Sequence, residues 1–163
     1  MKDVFKINKF YILIFAISVI SLFVALYIEF VLGHKPCTLC IYQRVPYLIA
    51  IFITFFGISY YNNLLWLYCL LITFVSSILI SGYHFGIEQD VFKEFSGCTT
   101  NNMDLIDKDK LLKLLQSEIK SCKNVEFKIF GFSLAAINLF LSTVIFILTA
   151  KVLLNEKNRQ KQN

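Results

Sequence analysis

The sequence predicts an all-α membrane protein, a four-transmembrane-helix bundle with a short amphipathic helix in a long second outer loop. Of its 163 residues 57% are hydrophobic and only 17% charged, which is too apolar for a soluble domain of this length. The chain also falls into four apolar runs, each close to the roughly 20 residues a helix needs to cross a hydrocarbon core. Only six Gly and two Pro interrupt a sequence with 17 Phe, a composition that favours long helices over the turn-rich pattern of a β-barrel.

The first run, residues 10–32, carries a single charge, Glu29. It is longer than the apolar core of a signal peptide and no small-x-small pattern closes it, so it is expected to stay attached as span one. Glu29 lies within a turn of the span's end, where interfacial water is expected to solvate it. The second run covers about 41–61 and the third about 64–83, and Asn62-Asn63 between them predicts a tight helical hairpin. Arg44 and Pro46 fall in the first turns of span two, where a guanidinium reaches the interface and a missing N–H costs little. Cys40 is thereby placed at a helix start. The fourth run, about 130–150, has Asn138 as its one strongly polar interruption.

Four spans put both termini on one side and leave two outer connections, about 33–40 and 84–129. In the longer one, Leu111, Leu112, Leu114, Leu115 and Ile119 recur at helical spacing among Lys110, Lys113, Gln116 and Lys120. Residues 107–120 are therefore expected to form an amphipathic helix lying on the membrane surface or against the other outer loop. Lys2, Lys6 and Lys9 precede span one and Lys151, Lys157, Arg159 and Lys161 follow the last, which assigns the termini to the cytoplasm. The seven Lys of the long connection oppose that assignment, while the short hairpin turn supports it. The net charge of +5 is gathered at span ends and forms no basic stripe, so the expected partner is the lipid bilayer and not nucleic acid. With no internal repeat, residues 1–163 read as a single membrane domain.

Four of the five cysteines fall in the two outer connections, and Cys69 lies within a span, where a lone thiol acts as a small hydrophobe. Cys37 and Cys40 have the spacing of a redox-active dithiol and also of half a zinc site. A helix N-terminus stabilises a thiolate, and Arg44, four residues after Cys40, adds positive charge on the same face, so position favours redox work. Cys98 and Cys122 enclose 23 residues and form no second Cys-x-x-Cys. A structural disulfide that closes the loop and an exchangeable one that passes oxidising equivalents are both compatible with them, and a four-cysteine zinc site fits less well.

The stretch Lys35-Pro36-Cys37-Thr38-Leu39-Cys40-Ile41-Tyr42-Gln43-Arg44 is similar to the Cys-x-x-Cys-x-Tyr-x-Arg signature of the bacterial DsbB family. Tyr83-His84-Phe85-Gly86-Ile87-Glu88 before Cys98, and Phe130-Gly131-Phe132-Ser133 after Cys122, resemble the family segments that flank its second cysteine pair. The resemblance runs from span one to span four and is weakest between Cys98 and Cys122. It implies a multi-pass thiol:quinone oxidoreductase of the bacterial inner membrane with its cysteine loops in the periplasm. Such a protein reoxidises a DsbA-like, thioredoxin-fold periplasmic oxidase and passes the electrons to membrane quinone, ubiquinone or menaquinone. The resemblance further implies that the partner attacks a Cys98–Cys122 disulfide at Cys98, that Cys122 exchanges with Cys37, and that Cys40 is freed as the thiolate facing quinone. Arg44 would hold the quinone and its developing negative charge, and His84 would either lie near it or serve only as a hydrogen-bonded buried residue. A two-cysteine donor matches a two-electron, two-proton acceptor, so no metal is expected. A DsbI-type paralogue with a dedicated partner, and a non-catalytic four-helix scaffold with structural disulfides, are the competing expectations.

Overall fold

The computed structural model describes residues 2–59, 64–93, 122, 128–129 and 131–162. Among them are α1 (Lys2–Phe30), α2 (Thr38–Tyr42), α3 (Val45–Ser59), α4 (Leu65–Glu88), a minimal hairpin of β1 (Lys128–Ile129) and β2 (Phe132–Ser133), and α5 (Leu134–Gln162). Four stretches are long and apolar enough to cross a membrane: Ile7–Phe30, Thr38–Ser59, Leu65–Glu88 and Leu134–Lys161. The expected four-helix membrane bundle is thus present. The expected amphipathic helix at 107–120 and the Asn62-Asn63 turn lie outside the described residues.

Three boundaries differ from expectation, each for a local reason. Span two is not one helix from Ile41. It opens with the single turn α2, breaks at Gln43–Arg44 and resumes as α3. Pro46 has no N–H to give the Tyr42 carbonyl and disfavours helical geometry at the residue before it, so the ladder is interrupted there. Span three runs five residues beyond Tyr83, carrying His84 and Glu88 onto the helix. It ends where Asp90 takes a left-handed conformation (φ 61°), with Asp90 N–H bonded to the Ile87 carbonyl and Val91 N–H to that of Gly86. This 5→2 and 6→1 pair closes a helix C-terminus. Finally, residues 128–133 are a hairpin, antiparallel in the register Lys128↔Ser133 and Ile129↔Phe132, with Gly131 at φ 85° in its turn. The Ser133 hydroxyl then accepts the Ala136 N–H at 3.1 Å, so the last helix starts at a proper cap four residues after the apolar run begins.

Helix α1 packs on α3, α3 on α4, and α4 on α5. Ile14, Tyr47, Ala50, Leu70, Phe74 and Ile145 form the central core. Phe23, Phe52, Phe55, Ile72, Leu79 and Phe140 point outward and are more than half exposed, which suits a lipid solvent and no aqueous one. Several polar groups inside are bonded within the bundle: Ser77 and Ser142 hydroxyls join α4 to α5 at 2.8 Å, and Thr54 and Thr149 donate to carbonyls one turn back. Gly57 lets α3 come close to α1. A Cβ there would sit 2.7 Å from the ring of the fully buried Tyr11. Gly57→Ala is expected to destabilise the bundle by about 1–3 kcal/mol through overpacking, read as a lowered melting temperature in detergent.

Candidate active site

Cys37 is the N-cap of α2. Its backbone is extended (φ −72°, ψ 168°), and its Sγ accepts the Cys40 N–H at 3.3 Å. One turn on, the Cys40 thiol faces the same sulfur at 2.7 Å, so a disulfide can close between them without backbone movement. Both are free, as is Cys69. The expectation that Cys40 stands at the helix start is corrected here, since the N-cap is Cys37. The helix begins at Thr38, earlier than the apolar pattern suggested, and the Cys40 N–H of its first turn serves Cys37. Donation from the Cys40 thiol, assisted by His84, holds the Cys37 thiol well below the usual thiol range against the opposing effect of burial.

His84 approaches from α4, buried to 3% exposure. Its Nε2 lies 3.7 Å from Cys37 Sγ and 3.7 Å from Glu88 Oε1, one turn along the same helix. Its Nδ1 is 2.9 Å from the side-chain amide of Gln43, in the break between α2 and α3. The ring also hydrogen-bonds the backbone carbonyl of Cys122. Cys122 is buried and disulfide-bonded, and it packs with Cys37, Leu39 and Ile87, with Cys40 against them. The two cysteine centres of the sequence therefore meet across one histidine.

Arg44 turns toward α1, where its Nη1 donates to Glu29 Oε2 at 2.5 Å. Glu29 is not a solvated interfacial carboxylate, as its place near the span's end suggested, but the counter-charge of the four-fifths-buried Arg44 side chain. Cys37, Cys40, Arg44, His84 and Cys122 all line one cavity of about 320 Å³, whose remaining wall is mostly apolar residues of α1 and α5, Ile20, Val24 and Leu141 among them. Of the expected site residues only Cys98 is missing from this group, because it lies outside the described residues. Sequence reasoning missed Gln43, Glu29 and Glu88. Gln43 lies inside the signature stretch and Glu88 is one helical turn from His84, the signals that point to them. Cys37 Sγ, Cys40 Sγ and a His84 nitrogen lie within 4.8 Å of one another, a soft three-donor set that could also hold a metal ion.

Reduced Cys37 and Cys40 can give up two electrons and two protons together, and Cys122 shares their buried cluster. A bundle of four membrane-length helices that gathers a dithiol, a histidine and a disulfide cysteine around one cavity defines a membrane-embedded thiol–disulfide protein. The family model of the disulfide bond formation protein DsbB matches residues 7–152, and the chain belongs to that family. Membership makes it an oxidoreductase of disulfide formation. The chain is also 28% identical, over 98% of its length and 94% of the relative's, to the uncharacterized protein RP370 of Rickettsia prowazekii (strain Madrid E).

One consequence concerns pH. Because the fold lowers the Cys37 pKa, its thiolate should persist as pH falls below the ordinary thiol value of about 8.5. Alkylation of Cys37 in the reduced protein, followed by mass spectrometry, is expected to keep its rate down to acid pH. Cys37 in the urea-unfolded chain should slow from about pH 8.5 downward. Linkage has the same sign: the depressed pKa contributes stability that is present in alkali and fades as pH falls through the folded value.

Proposed function

We propose that this protein is a thiol:quinone oxidoreductase of the bacterial inner membrane that reoxidises a DsbA-like, thioredoxin-fold periplasmic oxidase. In this reading both termini are cytoplasmic and the cysteine connections face the periplasm. The observation that carries it is the meeting of Cys122 with Cys37 across His84 at the mouth of an apolar cavity that also holds Cys40 and Arg44. Soluble substrate thiols and a lipid-soluble acceptor live in different phases, and a dithiol at a membrane-facing cavity joins the two.

The exchange runs inward. A partner dithiol attacks the Cys98–Cys122 disulfide at Cys98, and Cys122 leaves as thiolate. Cys122 then attacks Cys37 Sγ of a Cys37–Cys40 disulfide, and Cys40 leaves as thiolate. Each step breaks one S–S bond and forms one, so two electrons arrive at Cys40 with no change in the number of disulfides. With an N–H on Nε2, 3.7 Å from Cys37 Sγ, His84 stabilises negative charge on that sulfur when Cys37 is released as thiolate. An apolar wall with a guanidinium beside Cys40 fits a carbonyl-bearing ring with a hydrophobic tail, and a bound quinone would supply the acceptor for two electrons and two protons. Arg44, fixed by Glu29, would hold the ring by a carbonyl oxygen and offset the charge that builds there. Purified protein in lipid should oxidise a reduced thioredoxin-fold dithiol only when ubiquinone or menaquinone is added. Unchanged thiol content with either quinone would defeat the assignment and leave a scaffold with structural disulfides.

A further inference from the structure

Gln43 is a polar side chain with only 7% exposure in a membrane protein, and burial of an amide is unfavourable unless its hydrogen bonds are made. Its amide lies 2.9 Å from His84 Nδ1. At the opposite ring nitrogen stand Cys37 Sγ and Glu88 Oε1, both 3.7 Å from Nε2, and with Cys37 as the thiolate both can only accept. A neutral imidazole has one N–H, and these acceptors place it on Nε2. Nδ1 is then a lone pair that needs a donor. The amide end of Gln43 that faces it is therefore the NH₂ end, and a carboxylate at position 43 would be unable to play that part.

We propose that Gln43 is a positioning residue: by donating to Nδ1 it locks His84 as the neutral Nε2–H tautomer and aims that N–H at Cys37 Sγ. The inference rests on the thiol-oxidising reading for its purpose, since the locked ring would steady Cys37 as Cys122 attacks it. The tautomer itself can be tested apart from that reading. The titratable and charged groups around the pair are Cys40 on α2, Arg44 in the break, and Glu88 on α4. Tyr47 on α3, Glu29 through Arg44, and His34 and Lys35 on the connection after α1 complete the set among the described residues. The residues of α5 that line the cavity carry no charge.

The chain has two histidines, His34 and His84, so ¹⁵N-histidine labelling of the full-length reduced protein gives a spectrum simple enough to assign with His34→Gln. At neutral pH, His84 is expected to show a protonated Nε2 and an unprotonated, hydrogen-bonded Nδ1. Gln43→Glu should protonate both nitrogens, and Gln43→Leu should abolish the Nδ1 hydrogen-bond shift. In parallel, the pH midpoint of Cys37 alkylation should fall by about one unit in Gln43→Glu, a tenfold change in thiolate fraction, and rise by a similar amount in Gln43→Leu. A protonated Nδ1 in the parent protein, or identical His84 signals in the parent and Gln43→Leu, would overturn the proposal. If a variant unfolds, the parent spectrum alone still decides the tautomer. Neither readout uses quinone or a protein partner, so an inactive parent protein with the expected tautomer would sink the functional reading and leave this one standing.

Discussion

Replacement of Cys40 by serine is expected to abolish quinone reduction by dithiol in membranes, lowering it to the rate seen without protein. The reasoning starts from stoichiometry. Quinone takes two electrons, and a dithiol that closes to a disulfide is the two-electron donor this cavity offers. Cys37 alone can exchange with Cys122, but it cannot close a ring with a hydroxyl. Geometry makes the substitution clean: serine is nearly isosteric, the Cys40 N–H still reaches Cys37 Sγ, and the α2 turn keeps its backbone bonds from Ile41 to the Cys37 carbonyl and from Gln43 to that of Leu39. The fold should therefore survive, which an unchanged melting temperature would check. Cys69→Ser is the matched control, since that thiol lies on α4 outside the cavity lining, and it should leave quinone reduction unaltered. Near-normal quinone reduction by Cys40→Ser would sink the relay, because no other described thiol lies against Cys37 on this turn.

Much of this was legible in the sequence because membranes and dithiols both write in short range. Four apolar runs are visible as composition, and Cys37-Thr38-Leu39-Cys40 followed by Arg44 is visible as spacing. What escaped depends on partners far apart in the chain. Nothing local tells that Glu29 meets Arg44 across two helices, or that Gln43 meets His84 forty-one residues on. Helix ends escaped for a related reason. A run of apolar residues fixes where a helix can lie in lipid but not where its hydrogen-bond ladder starts. That is set by single residues: Cys37 capping α2, Pro46 breaking the ladder, Asp90 closing α4, Ser133 opening α5. The shift of three or four residues at the start of α2 has chemical weight, since it moves the helix-start stabilisation from Cys40 to Cys37. The two roles remain compatible. A dithiol keeps its negative charge on Cys37, while a Cys37 tied up in exchange with Cys122 leaves Cys40 to carry it.

The second large effect is expected from Cys122→Ala. Cys122 is buried to 3% exposure among Cys37, Leu39 and Ile87, and its carbonyl bonds the His84 ring, so alanine keeps the backbone contact and most of the packing while removing the sulfur. In the proposed sequence Cys122 has two jobs: it is the leaving group when the partner attacks Cys98, and the nucleophile toward Cys37. Without it, Cys98 has no proposed exchange route inward, and transfer of electrons from partner to quinone should fall to background. Cys98 is then a free thiol whose thiolate can attack the disulfide of an oxidised partner, one partner cysteine leaving as thiolate; the resulting intermolecular disulfide has no Cys122 to resolve it and should be trapped by acid quenching and alkylation. Non-reducing electrophoresis of membranes would show that adduct as a band lost on adding reductant, and its mass would identify the attached protein. A thioredoxin-fold oxidase of broad specificity supports the DsbA-like partner, whereas a single dedicated protein would assign the chain to the DsbI type with the same chemistry. Full turnover by Cys122→Ala, with no adduct, would mean that electrons enter at Cys37 directly and that the second cysteine pair only braces the fold.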